Sequence, residues 1–166
     1  MNNINFQIWE TIEIGTYKSI KEFEKAINEN CLIKNFSKNL LKSPSFILSK
    51  EHKKINLVVV TPYIVYPKKL DFEFYVTYER ICRIAFKNGL KLCPVETGLQ
   101  ICLQSNRLCK GTSLNIVTES IFIPTIKKSC ISHIDRWYDD GNIVITGLSI
   151  FSEKNFNRFS KFIFCT

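Results

Sequence analysis

The residues able to do acid, base or nucleophilic chemistry are few. The chain has two histidines, His52 and His133, and seven cysteines at positions 31, 82, 93, 102, 109, 130 and 165. The sharpest catalytic arrangement they allow is Cys93 as nucleophile, His133 as base and Asp135 or Glu96 as the group that orients the imidazole, an order that thiol enzymes use. Two facts weigh against it. A chain with seven cysteines offers such a triple by chance, and Pro94 directly after Cys93 removes a backbone donor from any oxyanion hole there. No G-x-S-x-G, phosphate-binding loop, dinucleotide fingerprint or H-E-x-x-H is present. The sequence implies no cofactor and no metal. No C-x-x-C exists, and a metal would have to recruit both histidines or scattered Cys and carboxylates.

Most of the cysteines read as structure. Cys82 beside Ile81, and Cys102 between Ile101 and Leu103, stand where an apolar residue belongs, as small reduced core fillers. Free thiols suit a reducing compartment. His52 falls in a Lys-rich turn facing solvent. His133 falls on an expected strand between Ile131 and Ile134, in a surface or hydrogen-bonded structural role.

Glu96 is the one carboxylate in a constrained place. It follows Pro94, precedes Gly98 and lies between Leu92 and Leu99, both expected to be buried. A carboxylate there caps a neighbouring helix or accepts from exposed amides; the functional alternative is a charged contact at the mouth of a groove.

The net charge is +8 with an isoelectric point of about 9.1. Five of the 23 basic residues are Arg, whereas phosphate and base recognition lean on arginine's planar fork. Lys-, Asn- and Ile-rich usage also follows from an AT-rich coding sequence. Lys34, Lys38 and Lys42 share one helix face at i, i+4 and i+8, and Lys50, Lys53 and Lys54 follow. They form either an anion-binding surface or a solvated face. Trp137 and Tyr138 beside a turn are interface anchors if exposed and a core corner if buried; the expectation is one of each.

The elements that must position these groups follow from periodicity. Alternation predicts a strand over 5–14. Ser19-x-x-Glu22 is a capping box opening a helix that ends near 28–30, and a second helix covers about 35–42 before Pro44. A short strand is expected at 46–48, a central strand at 55–60 and an extended loop at 63–66. Thr77 caps a helix that stops at Asn88-Gly89. Strands are expected at 99–104, 114–123, 130–138, 143–150 and 159–164, with Asp139-Asp140-Gly141-Asn142 turning one hairpin. The fold expected is α+β: one domain over 1–166, with two to three helices in the N-terminal half packed on a mostly antiparallel sheet.

The order of segments resembles a family of short bacterial hypothetical proteins. The specific part is Gly89-Leu90-Lys91-Leu92-Cys93-Pro94-Val95-Glu96, read as G-L-x-L-C-P-x-E. Lys110-Gly111, Asp139-Asp140-Gly141 and Phe162-Ile163-Phe164 follow in the same order. The resemblance implies a stand-alone domain and no particular activity; the tail over 152–161 lacks the acidic, Trp-rich character of the relatives.

Residues 1–10 carry no secretory signal, and no window reaches the roughly 18 apolar residues of a membrane span. The function expected is therefore that of a small cytoplasmic binding or modulator protein acting through protein contacts, without membrane association. Nucleic-acid binding by a basic surface is the alternative, and a small thiol-dependent hydrolase or transferase the third.

Overall fold

The computed structural model describes residues 5–30, 35–65, 75–150 and 155–166. Nine strands and five helices are described: β1 (Ile8–Ile14), α1 (Ile20–Asn30), α2 (Asn35–Leu41), β2 (Lys53–Val60), α3 (Pro62–Val65), β3 (Tyr75–Thr77), α4 (Tyr78–Lys87), α5 (Thr97–Gln104), β4 (Ser113–Ile116), β5 (Ile121–Ile123), β6 (Lys128–Arg136), β7 (Ile143–Ser149), β8 (Asn155–Asn157) and β9 (Phe162–Cys165). Seven strands form one sheet in the order β1-β2-β9-β4-β6-β5, with β7 also paired to β6. Its β4–β9 pair is parallel and its other pairs are antiparallel. β3 and β8 make a separate two-stranded ribbon.

Side-chain alternation divides the core between the two faces of the sheet. On β9, Ile163 and Cys165 join the cluster built from Phe23 and Ile27 of α1, Leu40 and Leu41 of α2, and Leu99 and Ile101 of α5. Phe162 and Phe164 join the opposite cluster, with Ile81, Cys82 and Ala85 of α4 and Phe156 of β8. Burial on both faces explains why 55–60 and 162–164 read as nearly continuous apolar runs.

Local punctuation acts largely as its chemistry dictates. Thr77 accepts from the Arg80 N–H at 3.4 Å, and Glu79 stands in the first turn of α4. Ser19 Oγ accepts from the Glu22 N–H at 3.2 Å, but the Glu22 carboxylate reaches the Lys18 N–H, one residue before the expected partner.

Several expectations need correction. Residues 99–104 are helix α5, not a strand. Residues 97–102 of that helix are all buried, so it has no polar face to reveal a helical period. Its two glutamines, four residues apart, bond each other along the axis: Gln104 Nε2 donates to Gln100 Oε1 at 2.7 Å. The stretch 114–123 is two strands, β4 and β5, separated at Thr118-Glu119. Residues 46–48 form no strand, and Pro62 starts a single helical turn instead of an extended loop. Among the described residues four helices, not two or three, begin within the first 90; α1 and α2 pack on one face of the sheet and α4 on the other.

Gly98 allows α5 to lie on β6. A Cβ at that position would stand 2.9 Å from the Ser132 Cβ. Contact this close brings Glu96, at the start of α5, down among the loops that join β1 to α1 and α2 to β2.

Candidate functional site

A group of four polar side chains lies on β4 and β6. The antiparallel register sets Asn115 opposite His133 and Ser113 opposite Asp135. Directly opposed residues have Cβ atoms roughly 5 Å apart, so four functional side chains meet in one patch. Residues 114, 116 and 134 point to the other face, into the α1–α2–α5 core.

The hydrogen bonds give the histidine a defined orientation. The Asn115 backbone N–H and Nδ2 both donate to the Lys161 carbonyl, at 2.9 and 3.0 Å. Asn115 Oδ1 is thereby turned toward His133 Nδ1 at 2.8 Å. An amide oxygen can only accept, so Nδ1 carries the proton. In neutral His133 the lone pair is then on Nε2, which lies 3.3 Å from Ser113 Oγ and 3.2 Å from Asp135 Oδ2. Ser113 can donate to neutral Nε2. If Nε2 takes a proton, both Asp135 and Ser113 can accept from it.

Ser113, Asn115 and His133 open into a cleft of about 470 Å³, lined also by Phe156, Phe159 and Lys161, among others. Gly111 also lines it, at φ +77°. A Cβ on Gly111 would meet the Tyr138 ring at 1.9 Å, so Tyr138 lies directly over this glycine. The ladder holds Gly111 there: its N–H donates to the Arg136 carbonyl at 2.7 Å, and the Arg136 N–H donates to the Thr112 carbonyl at 2.9 Å. Tyr138 is 74% exposed, Phe159 67% and Trp137 44%. Both residues of the Trp137-Tyr138 corner are therefore exposed, where one was expected in the core. The Arg158 guanidinium carbon lies 4.6 Å from the centre of the Phe159 ring, which sets a cation against this aromatic of the cleft.

The other residues singled out in the sequence lie elsewhere. Cys93 does not join His133: it lines a different pocket, with Pro94, Val95 and Glu119. Its Sγ donates to the Ile163 carbonyl at 3.6 Å and accepts from Cys165 Sγ at 3.3 Å. Burial pushes the Cys93 thiol up, the reverse of what a thiolate nucleophile needs. Glu96 is fully buried, at 0% exposure, so it forms no contact at a groove mouth. It also does not cap α5 with its side chain. Its oxygens accept from the Ser49 N–H at 2.8 Å, from Gln100 Nε2 at 3.1 Å and from the Gly15 N–H at 3.5 Å.

Lys38 and Lys42 are exposed on and just after α2, and Lys34 lies outside the described residues. His52 bonds Glu13 Oε2 at 2.9 Å. Among the described residues no group of three or more His, Cys, Asp or Glu is placed to hold a metal ion, and no helix is long and apolar enough to cross a membrane.

Sequence reasoning missed Ser113, Asn115 and Lys161. The available signal was the pair Ser113-x-Asn115 and His133-x-Asp135, each alternating with apolar residues that face the core. The pairing of the two strands, and so the meeting of these side chains, depends on a register that the sequence does not display. Compared with protein-family models, curated proteins and solved structures, the chain matches none.

Proposed function

We propose that the chain is a binding protein that docks an acidic protein surface along the rim of the β4–β6 cleft. The observation that carries this reading is a pair of exposed aromatics at one concavity: Phe159, 67% exposed, lines it, and Tyr138, 74% exposed, covers its Gly111. Single exposed apolar side chains are common. Two large rings at a cleft of mixed polar and apolar lining, with Lys161 in that lining and Arg158 against the Phe159 ring, have the composition of an interface anchor. The net charge of +8 favours an acidic partner and speeds its encounter. None of the six described cysteines forms a disulfide, which suits work in a reducing compartment such as the cytoplasm.

The test compares affinity capture by the wild-type chain and by the Tyr138→Ala/Phe159→Ala variant, with and without nuclease. A protein retained by the first, lost by the second and insensitive to nuclease supports the reading. Capture that is identical for both, or that disappears with nuclease, overturns it; the second outcome favours a nucleic-acid ligand, whose binding falls steeply with salt.

A further inference from the structure

We propose that Ser113 is a nucleophile activated by His133, and that the cleft accepts a small carboxylic ester or similarly activated acyl group. This goes beyond the docking reading and uses different atoms of the same cleft. Three relationships carry it. Ser113 Oγ and His133 Nε2 are 3.3 Å apart, a nucleophile within reach of a base. His133 Nδ1 is held 2.8 Å from Asn115 Oδ1, and Asn115 is itself fixed by two bonds to the Lys161 carbonyl. A cleft of about 470 Å³ opens at Ser113, with room for a small acyl substrate.

The chemistry follows from the tautomer. In the neutral imidazole Asn115 selects the tautomer with the proton on Nδ1, and Nε2 is then the lone-pair nitrogen beside the serine hydroxyl. As Ser113 Oγ bonds to the carbonyl carbon, its proton passes to Nε2 and the carbonyl π pair moves onto oxygen. The imidazolium so formed has the Asp135 carboxylate 3.2 Å from Nε2. Collapse of the tetrahedral species breaks the bond to the leaving alkoxide, which takes the Nε2 proton. Water repeats the sequence on the acyl-serine: its proton passes to Nε2 and back to Ser113 Oγ, releasing the acid. Lys161 lines the same cleft and is the cation available there to the transient oxyanion. Asn115 is a positioning residue, acting only through the imidazole.

The test uses a fluorophosphonate probe on the full chain, with no partner present, so its outcome is independent of the docking reading. Attack forms a Ser–O–P bond, breaks P–F, releases fluoride and passes the serine proton to Nε2. The expected result is one adduct, mapped to Ser113 by peptide mass spectrometry. Ser113→Ala, at an exposed position, should abolish it, and His133→Gln should slow it by about 10²-fold or more. Asn115→Ala should slow it while Asn115→Asp, which keeps an acceptor for Nδ1, restores most of the rate. Thermal melts of each variant establish that it is folded. An unlabelled Ser113, or an equal labelling rate in folded His133→Gln, overturns the proposal. Equal rates in folded Asn115→Ala and wild type overturn the role given to Asn115.

Discussion

Glu96 Oε1 accepts the backbone N–H of Ser49 at 2.8 Å, across 47 residues of sequence and with no exposure to solvent. Its other oxygen accepts from Gln100 and from the Gly15 N–H. One carboxylate thus ties the turn after β1, the segment before β2 and helix α5. Removing it leaves buried donors without an acceptor, each costing about 1–3 kcal/mol. Glu96→Ala should therefore lower stability by about 2–4 kcal/mol in chemical denaturation. Glu96→Gln should cost less, because it keeps one acceptor while opposing an NH₂ to the other donors. An unchanged midpoint for Glu96→Ala would remove Glu96 from its place as the tie between these segments.

Gly111 and Tyr138 should behave as one unit. At φ +77°, any Cβ at position 111 is strained, and this one would also run into the Tyr138 ring at 1.9 Å. In the wild type, Gly111→Ala has to displace the ring and bear the left-handed strain. With Tyr138→Ala already present, only the strain of about 1–2 kcal/mol remains. A double-mutant cycle measured by thermal or chemical unfolding should therefore be non-additive, by about 0.5 kcal/mol or more. Additive losses would mean that the ring does not rest on the glycine in solution.

The contrast between α4 and α5 shows what was legible in the sequence. α4 has a threonine cap, a glutamate in its first turn, an apolar stripe at Ile81, Cys82 and Ala85, and a glycine stop, each a local signal. α5 has none of these. Its residues 97–102 are buried on all sides, and its alternation of Leu99, Ile101 and Leu103 with Gln100, Cys102 and Gln104 imitates a strand. Only the tertiary setting, with Gly98 against Ser132 and the glutamines bonded to Glu96, Glu13 and Thr16, makes it a helix. The candidate site was hidden for a related reason. His133 and Asp135 were visible as chemistry-bearing residues, but Ser113 and Asn115 gain meaning only from the β4–β6 register. The hairpin turn 139–142 was readable because Asp140 Oδ1 accepts the Asn142 N–H at 2.8 Å, a two-residue contact written in the local sequence.

The Cys93–Cys165 pair should be the first to oxidise internally. The two Sγ atoms are 3.3 Å apart, and Lys91 and Cys165 exchange backbone hydrogen bonds at 2.8 and 3.0 Å, keeping the two segments in register. The Sγ–Sγ contact with Cys93, together with Lys91 and Lys53, pulls the Cys165 thiol down, while burial pushes Cys93 up, so Cys165 is the more readily ionised of the two. Diamide treatment of a Cys109→Ser variant, which removes an exposed thiol, should yield a species lighter by two hydrogens with a Cys93–Cys165 peptide cross-link. The closed loop spans 72 residues, for which the chain-entropy account allows a gain of about 4 kcal/mol at most. Cross-links only between other cysteines would contradict the contact.

The edge strand β1 carries a solvent-exposed cluster of charges with β2 and the segment before it. Glu13 on β1 is the cross-strand partner of Lys54 on β2, and its carboxylate also meets His52 at 2.9 Å. The hydrogen bond with His52 comes first among the effects that hold the Glu13 carboxyl below the usual range, and the charges of His52 and Lys54 add to it. A carboxyl depressed in the folded state stabilises the fold above its unfolded pKa, and that contribution is lost as pH falls through the lower folded value. His52→Ala should therefore raise the Glu13 midpoint in an NMR titration. High salt should raise it too, because all three groups are solvent-exposed and screened. A midpoint that moves with neither change would mean that His52 and Glu13 do not hold each other in solution, leaving β1 joined to β2 by its backbone ladder alone at this end.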